Sequence, residues 1–180
     1  MLQEHWLADG QLDSLNELSD SHCATAVSGF GCKEILRGRP YGGCAIFLVK
    51  KNIDAHVDIF DVSIRNRICA LHVYTKTDFS LDLLFVSVYM PFESNDVAYD
   101  EFCSVLMQIA HLAQSYPDSQ LILGGDFNVD LGRSSLHTDF LKNYCTLNVV
   151  QPVINHQLSK VDYTYNFSMQ RFSVIDHFIF

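Results

Sequence analysis

Short apolar runs dominate the first half of the chain and predict β-strands. Four such runs are separated by segments rich in Gly, Pro, Asn, Asp and Lys: CAIFLV, HVDIFDVSI, RICALHVY and LDLLFVSVYM. Runs of this length that are bounded by turn-forming residues are typical of strands. We therefore expect four consecutive strands, most of them antiparallel.

The apolar pattern changes to a helical period after these strands. Between Val97 and Tyr116 the apolar residues are three or four positions apart, as at Ala98, Phe102, Val105, Leu106, Ile109, Leu112 and Ala113. This spacing places them on one face of a helix. Ser94, Asn95 or Asp96 can cap the start of this helix, and Pro117 follows its end.

The second half of the chain alternates strands with helices. LILGG predicts a short buried strand, Leu136 to Thr146 a second helix, and TYNFS and SVIDHFIF two closing strands. This element order is α+β and suits two packed sheets with helices outside them. We expect residues 1–180 to form a single domain, because the length suits one core and no repeat or linker interrupts the sequence.

Neither end of the chain has the pattern expected at a domain edge. The loop-like segment LQEHW comes at the start without a strand to lead into it, and SVIDHFIF stops within an apolar run. We therefore expect a domain that is incomplete at both termini.

Composition and charge limit the possible functions. The net charge of −9 argues against a protein that coats nucleic acid, because phosphate contacts need Lys and Arg, but it is compatible with carboxylates that hold a cation. The chain has neither an apolar run long enough to span a membrane nor a signal peptide in MLQEHWLADG. We expect a nuclear or cytoplasmic monomer with no membrane contact. Six cysteines without a CxxC pair predict buried free thiols.

The segment LILGGDFNVD carries the strongest indication of chemistry. Two glycines allow a sharp turn at the end of the strand, and Asp126 and Asn128 lie two residues apart. On an extended stretch, side chains at this spacing point to the same side, so a carboxylate and an amide would face one pocket. For this motif alone, the alternative is an Asx-rich turn without chemistry.

Three other polar residues lie at predicted strand ends. Tyr89 ends LLFVSVY, where its hydroxyl either points to solvent or donates to a phosphate oxygen. Glu4 could begin a Mg²⁺ site, although any surface glutamate would look the same. Asp176 shares a strand face with apolar Val174 and Phe178, so we expect it to be partly buried and to need a partner such as a histidine.

Taken in order, these segments resemble the endonuclease/exonuclease/phosphatase superfamily, which includes DNase I and abasic-site endonucleases. The resemblance is carried by LQEHW, GRPYGGCAIFL, VSVYMP, LILGGDFNVD, DYTYNF and SVIDHF, and it covers essentially the whole chain. The RPYGGCAI and IDHF stretches look especially similar to the endonucleases of LINE-type (non-LTR) retrotransposons. The resemblance implies a four-layer α/β/β/α sandwich with its site at one rim of the two sheets.

The resemblance also implies roles for five residues. Glu4 would bind the metal ion, Mg²⁺ or Mn²⁺, and Tyr89 would contact a phosphate of the DNA substrate. Asp126 would orient or deprotonate the attacking water, and Asn128 would hold the phosphate and Asp126 in place. Asp176 would orient the catalytic histidine.

The chain departs from the family pattern at two places. The family's first strand, which ends in an asparagine near the metal, and its terminal Ser-Asp-His motif are both missing from the sequence. His177 follows Asp176, but strand alternation points the two side chains to opposite faces, so we expect His177 to be structural. The other histidines lack metal-like spacing, and we expect most of them at the surface or in strands.

The expected function is therefore metal-dependent phosphodiester hydrolysis by a DNA endonuclease of retrotransposon type, impaired by truncation. The first alternative is a phosphatase of the same fold that acts on phosphate monoesters. The second is a remnant without enzymatic activity.

Overall fold

A computed structural model describes residues 1–29, 42–49, 56–60, 67–75, 81–148, 150, 152, 164–167, 171–173 and 175–180. Several sequence expectations lie outside the described residues: those on 38–41 of the GRPYGG segment, 61–64, 162–163, Cys32, His156, Ser168 and Val174.

Two sheets form the body of the described structure. The smaller is antiparallel, with the order β1–β3–β2, and consists of β1 (Leu2–Gln3), β2 (His22–Val27) and β3 (Cys44–Val49). The larger has the order β10–β7–β6–β5–β4 and consists of β4 (His56–Phe60), β5 (Ile68–Tyr74), β6 (Asp82–Tyr89), β7 (Gln120–Asp126) and β10 (Asp176–Ile179). A separate antiparallel pair joins β8 (Tyr165–Phe167) to β9 (Arg171–Ser173).

Strands β6 and β7 are parallel, whereas the other described strand pairs are antiparallel. A parallel pair needs a crossover connection, and helix α1 (Asp96–Ser115) supplies it. The Asn95 side chain caps this helix by accepting a hydrogen bond of 3.0 Å from the backbone N–H of Ala98, which decides among the three candidate caps. Helix α2 (Leu136–Leu147) is capped in the same way by Ser135.

The central strands of the larger sheet are buried on both faces, whereas its edge strand β4 is largely exposed. On one face, alternate residues of β6 (Leu84, Val86 and Val88) belong to a core with α1 and α2. On the other face, Cys69 and Leu71 of β5 pack with residues of β3. A 3₁₀ helix (Asp9–Leu18) packs along β2 on the smaller sheet. The result is the predicted α+β sandwich, in which helices flank two packed sheets.

The predicted strands and helices are present wherever the structure describes them. The LQEHW segment was expected to be a loop, but its first two residues form a strand, because Leu2 and Gln3 pair with Ala45 and Cys44. The sequence pattern missed β2 (HCATAV), whose small and half-exposed side chains give no strong apolar alternation. It also missed the 3₁₀ helix and β9.

The described cysteines are free, as predicted. Cys44, Cys69 and Cys145 are also buried, as expected, whereas Cys23 is exposed. None of the helices in the described part of the chain is both long enough and apolar enough to cross a membrane.

Candidate active site

Three neighbouring strands of the larger sheet bring three of the predicted site residues side by side. Tyr89 is the last residue of β6, Asp126 the last of β7 and Asp176 the first of β10. In the strand register, Asp126 pairs with Tyr89 on one side and with Asp176 on the other. Directly paired residues share a face of the sheet, so the three side chains lie together at one rim.

A sharp turn after β7 places Asn128 beside Asp126. The backbone N–H of Asn128 donates to Asp126 Oδ1 at 2.8 Å, and the Asn128 side-chain amide donates to the carbonyl of Met90 at 2.9 Å. Asn128 has φ 51°, so the stretch is not extended, contrary to the expectation, and the Asp126 side chain instead closes an Asx turn onto the Asn128 backbone. Gly125 begins the turn with φ 145°, and a Cβ there would lie 2.1 Å from the Val88 carbonyl oxygen.

The smaller sheet contributes Glu4 to the same rim. The Tyr89 hydroxyl donates to Glu4 Oε1 at 2.9 Å, across the gap between the two sheets. The backbone N–H of Glu4 donates to the carbonyl of Gly43 at 2.9 Å, which continues the pairing of β1 with β3. The structure thus brings all five predicted residues to one rim: Glu4, Tyr89, Asp126, Asn128 and Asp176.

His5 fixes the backbone that carries Glu4, and sequence analysis gave it no role. The backbone N–H of Leu7 donates to His5 Nδ1 at 3.1 Å, so Nε2 carries the hydrogen and donates to the Val27 carbonyl at 3.0 Å. Burial lowers the pKa of this imidazole, which favours its neutral form. The residues on either side, Glu4 (φ 53°) and Trp6 (φ 56°), have left-handed backbones. The imidazole, which is hydrogen-bonded at both ring nitrogens, therefore fixes this turn. Its left-handed backbone conformation costs free energy in residues other than glycine.

Negative charge accumulates around Asp126. Asp126 as a whole residue is 8% exposed, and burial raises the pKa of its carboxyl group to about 7. The charges of Asp176 and Glu4 raise this pKa further, and the Asn128 N–H partly offsets the increase. Burial, followed by the hydrogen bond to Glu4, also raises the pKa of Tyr89 well above its usual range. Tyr89 therefore remains a neutral hydroxyl that donates, and the carboxylates lie in a setting that favours uptake of a proton or a cation.

The expectations for the last strand are corrected in one respect. Asp176 is exposed and not partly buried, because β10 turns this side chain toward the rim while His177 and Ile179 face the core. His177 is buried and donates from Nε2 to the Val129 carbonyl at 2.8 Å, and burial lowers its pKa. Asp176 and His177 thus face opposite sides of the sheet, as alternation predicts, and His177 is held as a structural residue.

Two other histidines of the described residues are buried: His72 in a strand, as the expectation allowed, and His137 in a helix. His72, in β5, contacts Asp82 at 2.8 Å and Ser119 at 3.2 Å. Asp82 begins the strand that Tyr89 ends, so this cluster lies at the opposite end of β6 from the candidate site. His137, in α2, packs edge-on against Phe102.

A metal ion at this rim would have few protein ligands. Among the described residues, no group of three or more His, Cys, Asp or Glu side chains is arranged to hold a metal ion. Mg²⁺ takes one or two carboxylates and keeps several waters, so Glu4 with one neighbouring carboxylate is a sufficient donor set for that ion. The oxygen donors and the negative charge that Glu4 and Asp176 add near Asp126 both fit such a hard cation.

The fold is shared with several solved structures, although no protein-family model and no curated protein matches the sequence. The endonuclease domain of TRAS1, a telomere-specific non-LTR retrotransposon, is 17% identical with a TM-score of 0.58, and the match covers 87% of this chain and 64% of that domain. An endonuclease/exonuclease/phosphatase family protein from Bacteroides thetaiotaomicron is 19% identical with a TM-score of 0.60, over 98% of this chain and 64% of that one.

A third similar structure is a mannosyl-6-phosphatase from Bacteroides thetaiotaomicron. It is 20% identical with a TM-score of 0.61, and the match covers 98% of this chain and 68% of that enzyme. The chain thus spans slightly less than two thirds of the length of the first two structures. At these identities the likeness establishes the fold, which is that of the endonuclease/exonuclease/phosphatase, or DNase I-like, proteins.

Proposed function

We propose that this chain is a single metal-dependent phosphodiesterase domain that nicks DNA, with an endonuclease activity of the retrotransposon type. The observation that carries the proposal is the meeting of three carboxylates, a tyrosine hydroxyl and an asparagine amide at one rim of a DNase I-like sandwich. A retrotransposon endonuclease domain has the same fold, and the sequence stretches RPYGGCAI and IDHF resemble that class.

The metal ion in this proposal is Mg²⁺ or Mn²⁺, and Glu4 is its protein ligand. The Glu4 carboxylate is exposed, lies beside Tyr89 and contributes to the negative charge around Asp126. When bound, such a cation offsets the charge that builds up on a phosphate during hydrolysis. The donor set is oxygen-only, so zinc is not expected to be the preferred ion.

The other rim residues orient the substrate and the attacking water. Asp126 accepts the water's proton, a role supported by burial that raises its pKa to about 7. Asn128 fixes Asp126 through its backbone N–H, and its side-chain amide has a second N–H available for a phosphate oxygen. Tyr89 donates its hydroxyl to the phosphate, and Asp176 would orient the histidine of the family's Ser-Asp-His motif, which this sequence does not contain.

The second candidate function is hydrolysis of a phosphate monoester. It is favoured by the similarity to a mannosyl-6-phosphatase, whose TM-score of 0.61 is close to the 0.58 of the endonuclease domain. The same rim residues would serve either reaction, because both need a cation, an oriented water and a bound phosphate.

The test is supercoiled plasmid nicking by the purified chain with Mg²⁺ or Mn²⁺, beside hydrolysis of a sugar phosphate. We expect nicking that a chelator abolishes and that Asp126→Asn or Glu4→Gln lowers at least a hundredfold. Lys142→Met, an exposed charge change in α2, is the matched control and should leave the rate unchanged. Nicking that persists in excess chelator would exclude the metal mechanism.

Faster turnover of the sugar phosphate than of the plasmid would favour the monoester alternative. Absence of hydrolysis of both substrates, from a chain that melts cooperatively, would support the remnant without enzymatic activity.

A further inference from the structure

Arg67 links the rim to helix α1 through three separate contacts. Its Nε donates to Glu101 Oε1 of α1 at 3.0 Å, and its Nη1 donates to the Tyr89 carbonyl at 3.3 Å. Its guanidinium carbon lies 5.3 Å from the centre of the Tyr89 ring, within the range of a cation–π interaction. The Arg67 side chain is 14% exposed, so it is largely committed to these neighbours.

The backbone of Arg67 is bonded to the same tyrosine. The Tyr89 N–H donates to the Arg67 carbonyl at 3.0 Å, which extends the pairing of β5 with β6 by one residue. Arg67 therefore contacts the Tyr89 N–H, its carbonyl and its ring. A planar guanidinium can make a hydrogen bond, an ion pair and a ring contact at once, which the single ammonium of a lysine cannot reproduce.

Gly42 borders the tyrosine ring as well. A Cβ on Gly42, which has φ 73°, would lie 2.9 Å from Tyr89 Cδ1, so the backbone of the smaller sheet approaches the ring closely. The ring is thus bordered by Gly42 and the Arg67 guanidinium, and its hydroxyl is directed at Glu4 Oε1. The position of the hydroxyl depends on these neighbours, because rotation about the Tyr89 Cα–Cβ bond would move the ring and its hydroxyl away from Glu4.

We propose that Arg67, anchored by Glu101, is the positioning residue that holds the Tyr89 hydroxyl at the rim and against Glu4. The proposal rests on the proposed function of the same site. Arg67 acts through Tyr89 and not on the phosphate itself, because its guanidinium is largely buried and already bound to Glu101 and Tyr89. A reacting group that moves by about 1 Å can lose up to about a hundredfold in rate, so loss of this anchor should lower turnover.

The test is a double-mutant cycle on plasmid nicking with Arg67→Met and Tyr89→Phe. In the wild-type background, Arg67→Met should lower kcat by about tenfold to a hundredfold with little change in KM. In the Tyr89→Phe background the same change should cost less than about twofold, because the hydroxyl that Arg67 positions is gone. Equal losses in both backgrounds would overturn the proposal, because they would show that Arg67 acts independently of the Tyr89 hydroxyl.

A second measurement does not need activity. With 3-fluorotyrosine incorporated, ¹⁹F NMR should show a resonance that Tyr89→Phe removes, which assigns it to Tyr89. We expect this resonance to be a single sharp line in the wild type and to broaden or split in Arg67→Met. Glu101→Gln, which keeps Arg67 and an oxygen that can accept its Nε–H but removes the ion pair, should give a smaller change of the same kind, and Lys142→Met should give none.

The two measurements separate the two proposals. If the wild type does not hydrolyse DNA but the ¹⁹F line still responds to Arg67→Met and Glu101→Gln, the proposed function fails and the positioning contact stands. If the wild type nicks DNA but the line is unchanged in both variants, the positioning role fails and the proposed function stands. Glu101→Gln keeps the test decisive if Arg67→Met does not fold.

Discussion

At the scale of single residues, Asp126 is where proposed function and stability conflict most directly. Its carboxyl group is buried, and Asp176 and Glu4 add negative charge nearby, so its pKa is raised to about 7. The unfolded chain would have an ordinary carboxyl pKa of about 4. Between these two values the folded chain binds more protons than the unfolded one, so this residue makes folding less favourable as pH rises from about 4 to 7.

We therefore predict that Asp126→Asn stabilises the metal-free chain at pH 8 by a few kcal/mol. The amide keeps an oxygen that can accept the Asn128 N–H but carries no buried charge. At pH 4, where the native carboxyl is already protonated, the gain should largely vanish. Urea unfolding of both chains at the two pH values measures this, and an equal effect at both would contradict the raised pKa.

The five proposed site residues could be named from sequence because each belongs to a motif of the superfamily that the chain resembles. Arg67 and His5 could not be found in that way. Each makes its deciding contact with a residue 22 positions away, Tyr89 and Val27 respectively, and no local pattern encodes that distance. The exposure of Asp176 was also mispredicted, since the alternation of a strand gives faces but not which face is covered.

At the scale of secondary structure elements, long periodic segments were the most predictable. The expected helix from Val97 to Tyr116 is observed at Asp96–Ser115, because its apolar face and its flanking cap and proline define both ends. The two-residue strand β1 and the half-exposed strand β2 were missed, because they depend on pairing with β3 and not on their own side chains.

We predict that Asn95→Ala destabilises the fold by about 1 kcal/mol, because it removes the side chain that caps the N–H of Ala98 at the start of α1. Thermal unfolding should show a lower Tm. Ser94→Ala is the matched control, since Ser94 is exposed and lies one residue before the cap. A drop of the same size in Ser94→Ala would mean that the helix begins one residue earlier than described.

At the scale of the whole molecule, the net charge of −9 has to be reconciled with a polyanionic substrate. The carboxylates at the rim would repel DNA unless a cation is bound there, so we expect the divalent ion to serve both substrate binding and the chemistry. The element order could predict the fold class, and the resemblance could place the carboxylates at one rim, but the pairing of Asp126 with Tyr89 and Asp176 depends on strand register across β6, β7 and β10.

The last prediction is that Mg²⁺ or Mn²⁺ stabilises the folded chain and that Glu4 is required for this effect. A ligand that binds the folded state alone adds about 2.7 kcal/mol when its concentration is a hundred times Kd. For a chain of this size, that corresponds to a rise in Tm of roughly 5–10 °C.

The comparison must be made at matched ionic strength with NaCl, because screening of the net charge also stabilises an acidic protein. Glu4→Gln should lose most of the rise and keep the NaCl effect, whereas Lys142→Met should keep both. If the rise in Tm is the same in Glu4→Gln as in the wild type, the divalent ion binds elsewhere and the assignment of Glu4 as its ligand is wrong.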